Sequence, residues 1–425
     1  MSAEAEVRTK IGIRILPFLF LLYVVAFLDR INIGFAALTM NKELAISSQQ
    51  FGLVVGMFFF GYFLLEIPSN LILHRIGARV WIARILVTWG FVAIATAFAQ
   101  DVAQLYAARF LLGVAESGFF PGILFYLTYW FRQREQARAI ALFMIAQPVT
   151  NILGAPVSGM ILDRVHWLHL SSWRWLLILE GLPAIIFGIA TYLLLPSRPE
   201  QATFLTPLER DGLASALAEE RAQKTGGRHL SVLDTLSNGR VWHLAVIGFT
   251  QAIGAYTLIF WMPQVVKALS SVYSNTTVGM LVAIPHLVGL VAMIAVSRSS
   301  DRRLERRFHL AIPLAIAGAA FLSLRAVHST TLSILLLSFV AFGVYGFFGP
   351  YFASASAFLS GASAAVGIAV ITSVANLGGF VGPYMVGLLA RTTEGMNVGL
   401  ALAGVSLLAS ATLALLLPER TLVTA

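Results

Sequence analysis

Cysteine is absent from the 425 residues. That excludes disulfides, thiolate catalysis and Cys-ligated metals. Charge is scarce too: Asp, Glu, Lys and Arg make up 12% of the chain, where a soluble domain carries about 25%. Little of the surface can therefore face water. The hydrophobic content of 58% and a mean hydropathy of +0.82 put most of it against lipid. No metal-ligand spacing and no nucleophile triad stands out, and no glycine run is followed by the Lys-Ser/Thr of a phosphate loop. The residues thus point away from an enzyme and from a bound cofactor. The net charge of +9 does not indicate nucleic acid, because the basic residues sit in short clusters between apolar runs. Such clusters are what the positive-inside rule produces.

What is present is long apolar runs. A bilayer core of about 30 Å needs about 20 apolar residues per helix. Twelve runs meet this, at 15–38, 50–73, 81–99, 103–130, 136–162, 173–195, 241–263, 278–298, 309–326, 331–358, 364–390 and 397–417. The first is longer than a signal h-region and contains Asp29 and Arg30, so it is expected to be retained as a span. The longest polar stretch, 197–240, holds Pro199, Pro207, Glu219, Glu220, Arg221, Lys224 and Arg228. It is expected to be a cytoplasmic linker with a short amphipathic helix. Of the 29 Lys and Arg, Arg30 and Arg109 fall inside spans. Lys42, Arg164, Arg174, Lys267, Arg325 and Arg391 fall on one side, and the other 21 on the opposite side. That bias predicts both termini in the cytoplasm.

The two halves repeat. Arg75 in "HRIGAR" and Arg302 in "DRRLERR" follow the second and eighth runs and stand 227 apart. Phe119 in "GVAESGFFPG" and Phe347 in "GVYGFFGP" are 228 apart, and Pro156 and Pro383 are 227 apart. The expected fold is all-α, with twelve transmembrane helices in two pseudo-symmetric six-helix bundles. The bundles would cover 1–196 and 241–425, joined by the linker. Duplicated halves mark secondary transporters, whose site lies between them near the midplane.

Ionisable residues inside a span need a partner or a wet cavity. Asp29-Arg30 lies past mid-depth of the first run. It is either a helix-end pair reaching outward or a titrating carboxylate beside an anion-binding guanidinium. Arg109 and Glu116 are two turns apart on one face of the fourth run. They either brace helices as a static pair, or Glu116 carries a proton and yields it when an arginine changes partner. Tyr62, Gln147 and Asn376 reach similar depth, where they can bind a solute or another helix. Glu66 reads as part of a gate or brace, Glu180 as structural, and His286 as a helix-packing residue. Abundant glycine, with "NILGAPVSG" and "NLGGFVGP", suits helices that pack closely and rock.

These stretches resemble a known family. The loop after the second run resembles the signature of the major facilitator superfamily, and "SSDRRLERR" resembles its second copy. "FLDRINIG", "GYFLLEIPSNLILHRIGAR", "RFLLGVAESGFFPGILFYLTYWF", "FLSG" and "NLGGFVGP" together resemble the anion:cation symporter family within it. Members are mostly bacterial proton-coupled importers of carboxylates such as sugar acids, tartrate, phthalate and hydroxyphenylacetate. The wording is nearest a tartrate-transporter-like branch. The resemblance implies proton coupling at Asp29 and Glu116 and a substrate carboxylate on Arg30. It places Tyr62, Arg109, Gln147, Tyr351 and Asn376 near the substrate, and Arg75, Gly77, Arg79, Asp301 and Arg302 in the gating loops. It further implies a monomer in a bacterial inner membrane whose partners are a small organic anion, protons and the lipid bilayer. An efflux transporter or a ligand sensor of the same fold remain alternatives. Three positions depart from the pattern. His74 stands where an aspartate is usual, Ser297 where a glycine is usual, and Tyr351-Phe352 where a tryptophan is expected.

Overall fold

The computed structural model describes residues 3–225, 237–358, 361–390 and 393–417. Outside the described residues lie Arg228, Arg391 and Arg420. So do the side chains of His74, Arg134, Arg138, Glu220, Arg221, Lys224 and the "FLSG" stretch. The described residues are all-helical. In chain order the helices are α1 (Ala3–Glu43), α2 (Ser48–Ile76), α3 (Ala78–Thr96), α4 (Val102–Glu116), α5 (Phe119–Leu127), α6 (Gln133–Met144), α7 (Ala146–Arg164), α8 (Ser172–Leu194) and α9 (Pro207–Thr225). They continue with α10 (Gly239–Ala268), α11 (Asn275–Arg303), α12 (Arg307–Ser323), α13 (Thr330–Gly346), α14 (Phe348–Phe358), α15 (Gly361–Leu389) and α16 (Thr393–Leu415). Among the described residues, twelve spans are long and apolar enough to cross a membrane, as in an integral multi-pass membrane protein.

Three of the expected continuous runs are broken. The fourth run divides into α4 and α5, the fifth into α6 and α7, and the tenth into α13 and α14. The break in the fourth is the sharpest. Gly118 takes φ 83°, a left-handed conformation that glycine adopts without the usual steric cost. The Ser117 carbonyl, freed from the helical ladder, accepts from Ser69 Oγ at 2.7 Å. Ser69 Oγ in turn accepts from Trp81 Nε1 at 3.0 Å. Pro121 then sits in the first turn of α5, where its missing N–H costs nothing.

The first helix is also longer than expected. Its 41 residues extend about 62 Å at 1.5 Å per residue, twice the thickness of the bilayer core. The excess carries Arg8 and Lys10 to other elements at that end. Arg8 Nη1 lies 3.3 Å from Glu135 of α6, and Lys10 Nζ 2.7 Å from Glu209 of α9. The Lys10 ammonium holds the Glu209 carboxyl below its usual value. Between α11 and α12, Asp301 pairs with Arg306 at 2.5 Å, while Arg75 and Arg302 are exposed. Gly77 joins α2 to α3 with φ 97°, and Arg79 stands 5.5 Å from the Tyr192 ring.

The two halves meet along α2 with α15 and α7 with α11. The internal repeat relates these two contacts, because the 227-residue offset carries α2 onto α11 and α7 onto α15. Small residues make the approach possible: a Cβ at Gly52 would stand 2.6 Å from the Pro383 carbonyl oxygen. Toward the α1–α2 turn, Asp163 at the end of α7 caps the start of α11. It accepts from Asn275 N at 3.1 Å, Asn275 Nδ2 at 2.8 Å, and Thr276 N and Oγ1 at 2.7 Å each. A carboxylate there meets both the orphan amides and the positive end of the helix dipole. Phe51 packs edge-on against Trp261 at 5.3 Å on the same side.

These contacts form a seal between the halves, and Asp163 joins them by hydrogen bonds alone. Losing such a cap costs about 1 kcal/mol. The native chain has no cysteine, so Ala255→Cys in the cavity below the seal gives a clean reporter. Asp163→Ala should make that cysteine react several-fold faster with an impermeant maleimide added on the α1–α2 side of proteoliposomes. An unchanged rate would mean that the cap does not hold the seal.

Candidate functional site

Below the seal is a cavity between the halves. On α1 it is lined by Tyr23, Phe27 and Arg30, spaced four and three residues apart so that they share one helix face. Tyr62 of α2 and Gln147 of α7 complete this wall. The opposite wall comes from Gln251 and Tyr256 of α10, Tyr345 of α13, Tyr351 of α14 and Asn376 of α15. The free volume is about 100 Å³. One water needs about 10–15 Å³ by this measure, so the space takes several waters or one small solute.

Arg30 is the charged group of the lining. Its guanidinium donates from Nη2 to Glu116 Oε1. Three rings surround it, with centroids 5.1 Å (Phe58), 5.7 Å (Tyr62) and 5.8 Å (Phe27) from the guanidinium carbon. Such contacts stabilise a cation that has lost water. Arg30 faces the cavity, and Glu116 stands behind it as the last residue of α4. The break at Ser117–Gly118 is what ends the helix there and places the carboxylate against α1.

This pairing corrects the expectation for Arg109. Seven residues separate it from Glu116, about 10.5 Å along the axis, and the carboxylate turns to α1 instead. Arg109 is 1% exposed and does not line the cavity. Its guanidinium sits 5.1 Å from the Phe58 ring, with Nε and Nη2 lacking partners among the described residues. Its positive charge still acts on both Asp29 and Glu116. In this arrangement it lies behind the site rather than in it.

Asp29 also faces away from the cavity. It accepts from Trp89 Nε1 of α3 and, at 2.9 Å, from Asn32 Nδ2. The Asn32 amide also neighbours Glu180 of α8, whose Oε1 accepts from Ser158 Oγ at 2.7 Å. Consecutive residues thus serve two polar sets: Arg30 at the cavity, and Asp29 within the bundle behind it.

The remaining expected residues divide by how free they are. The ends of Tyr62 and Asn376 have no protein partner among the described residues, and both line the cavity. Gln147 donates to the Tyr23 hydroxyl at 2.6 Å. Tyr351 already donates to the Leu244 carbonyl at 2.9 Å, so it offers the cavity its ring. Glu66 accepts from Ser373 Oγ at 2.8 Å, which links α2 to α15 across the halves. His286 Nδ1 lies 3.0 Å from the Tyr345 hydroxyl, which also accepts from Asn151 of α7 at 3.4 Å.

Sequence reasoning missed Tyr23, Gln251, Tyr256 and Tyr345 as lining residues, and Trp89 as the partner of Asp29. The repeat held a usable signal for two of them. Carrying Tyr23–Arg30 forward by the 227–228 offset gives 250–258, the stretch with Gln251 and Tyr256.

Removing one member of a buried ion pair typically costs about 3–5 kcal/mol, because the other charge is left uncompensated. Arg30→Leu should therefore lower the detergent-solubilised melting temperature markedly. Arg30→Leu with Glu116→Leu should recover most of the loss. Additive destabilisation in the double variant would rule out the pair as the source.

The sequence pattern described as Major Facilitator Superfamily matches residues 19–383. An Agrobacterium vitis protein named "Putative tartrate transporter" is 45% identical over 416 residues, covering 97% of this chain and 92% of its own. A quinolone resistance transporter of Acinetobacter baumannii is 36% identical, over 94% of this chain and 92% of its own. A solved bacterial homolog of the human lysosomal transporter Spinster, inward-facing and unoccupied, superposes with a TM-score of 0.75 at 19% identity. That match covers 98% of both chains.

Proposed function

Since the chain belongs to the major facilitator superfamily, and so is a membrane transporter of a small-molecule substrate rather than an enzyme, we propose that it is a proton-coupled symporter importing a small organic anion. The substrate would be a carboxylate such as tartrate, a sugar acid or an aromatic acid. One observation carries this reading: the cation that lines the cavity, Arg30, is held by a carboxylate, Glu116, that stands behind it.

A solute carboxylate and Glu116 compete for the same guanidinium. A proton on Glu116 removes the competitor and frees Arg30 for the anion. Asp29, one residue away and bonded to Trp89 and Asn32 rather than to an arginine, takes a second proton, as the family resemblance implies. Tyr62, Gln147 and Asn376 complete the solute's hydrogen bonds. The loaded carrier then rocks about the contacts of α2 with α15 and α7 with α11, closing one side and opening the other. Deprotonation lets Glu116 recapture Arg30 and eject the anion. If more protons than anion charges move, each net charge gains about 2.3 kcal/mol per 100 mV.

The proposal includes the charge-bias orientation, with both termini cytoplasmic. It places a monomer in a bacterial inner membrane, with the halves at 1–196 and 241–425 joined by the linker 197–240. The quinolone resistance relative favours a second reading, proton-coupled efflux through the same cavity. Imposed gradients of opposite sign in proteoliposomes distinguish the two.

Under an inside-alkaline gradient, the wild type should concentrate its anion. Glu116→Gln should abolish that accumulation while keeping anion exchange. A variant that still concentrates substrate would show that Glu116 is not the coupling acid. Arg30→Ala should lose binding itself, and retained affinity would sink its assigned role.

A further inference from the structure

The charge of the cavity wall limits the charge of its solute. Among the described residues that line it, Arg30 alone can be a cation, and none is Asp, Glu, Lys or His. The wall across from Arg30 offers Gln251, Tyr256, Thr372 and Asn376, all neutral. Two other cationic candidates do not reach the cavity surface. Arg109 lies beyond the Phe58 ring and His286 beyond Tyr345, and both are essentially unexposed. Much of the rest of the lining is aromatic: Phe27, Phe120, Phe347, Phe348 and Phe352. Aromatic faces carry negative potential and repel an anion laid on them.

We infer that the cavity takes solutes with one carboxylate, and discriminates against dicarboxylate dianions of the same size and shape. This rests on the organic-anion reading above and narrows it to sugar acids and aromatic acids with a single carboxylate, so that tartrate, a dianion, becomes a poor ligand. The first carboxylate meets Arg30. A second would be stripped of water with no cation to face it, and an unmatched buried charge is costly. The remaining polar groups, Tyr62, Gln147, Gln251 and Asn376, suit a neutral hydrogen-bonding body. Asn376 is well placed to act as a specificity residue, since it lies on the far wall and its amide is bound to nothing else among the described residues.

Three matched pairs test this on the purified full-length wild type, by isothermal titration at pH 7.5. They are L-threonate with L-tartrate, D-gluconate with D-glucarate, and benzoate with phthalate. In the two sugar-acid pairs a terminal CH2OH gives way to a second carboxylate on the same carbon chain, and in the aromatic pair a second carboxylate replaces an ortho ring hydrogen. In any pair that shows Arg30-dependent binding, the monoanion should bind at least about tenfold more tightly. Asn376→Lys, which adds a cation to the far wall, should shrink that ratio several-fold. A dianion that binds equally or more tightly in the wild type would overturn the inference. So would a ratio that Asn376→Lys leaves unmoved in a folded, ligand-binding variant. If no member of any pair binds, the organic-anion reading itself fails and this inference falls with it. Binding that survives Arg30→Ala would fault the anchor instead, and with it the single-cation premise.

Discussion

The site depends on one ion pair, Arg30 with Glu116, formed between α1 and the broken end of α4. A buried ion pair adds little net stability, but splitting it is costly. That asymmetry makes it useful to a carrier. Arg30, largely buried among aromatic rings, is costly to leave unpaired, so it exchanges one anionic partner for another. Its two candidates are the carboxylate behind it and a carboxylate that arrives through the cavity.

Much of the surrounding structure serves that exchange. Gly118, with Ser69 bonded to the freed Ser117 carbonyl, ends α4 where Glu116 reaches α1. Phe27, Phe58 and Tyr62 hold the guanidinium in place without neutralising it. Glycine contacts let the two halves approach along repeat-related helices, and the Asp163 cap fastens them by hydrogen bonds that break without disturbing a core. The seal and the site are therefore built from different interactions, and a change at one need not unfold the other.

The spans and the repeat were legible in the sequence, because length, hydropathy and a constant offset are properties of the chain itself. The depth of Arg30, Tyr62, Gln147 and Asn376 was legible for the same reason. Partnership was not. Spacing showed that Arg109 and Glu116 share a helix face, but it carries no information about which other helix arrives there. The break in "ESGFFPG" was hidden because hydropathy ignores the sign of a glycine φ. Tyr256 and Trp89 lay in apolar runs where an aromatic usually packs against its neighbours. Only the tertiary fold sets a phenol beside Arg30 and an indole N–H on Asp29.

If anion and Glu116 compete for one guanidinium, anion binding and proton binding are thermodynamically linked. The most direct measurement is the pH change when a bound anion is added to purified protein in weakly buffered solution, at a pH where Glu116 is ionised. Net proton uptake on anion binding is expected, and Glu116→Gln should remove the Glu116 share of it. Anion binding with no proton uptake, or uptake undiminished in Glu116→Gln, would contradict the competition.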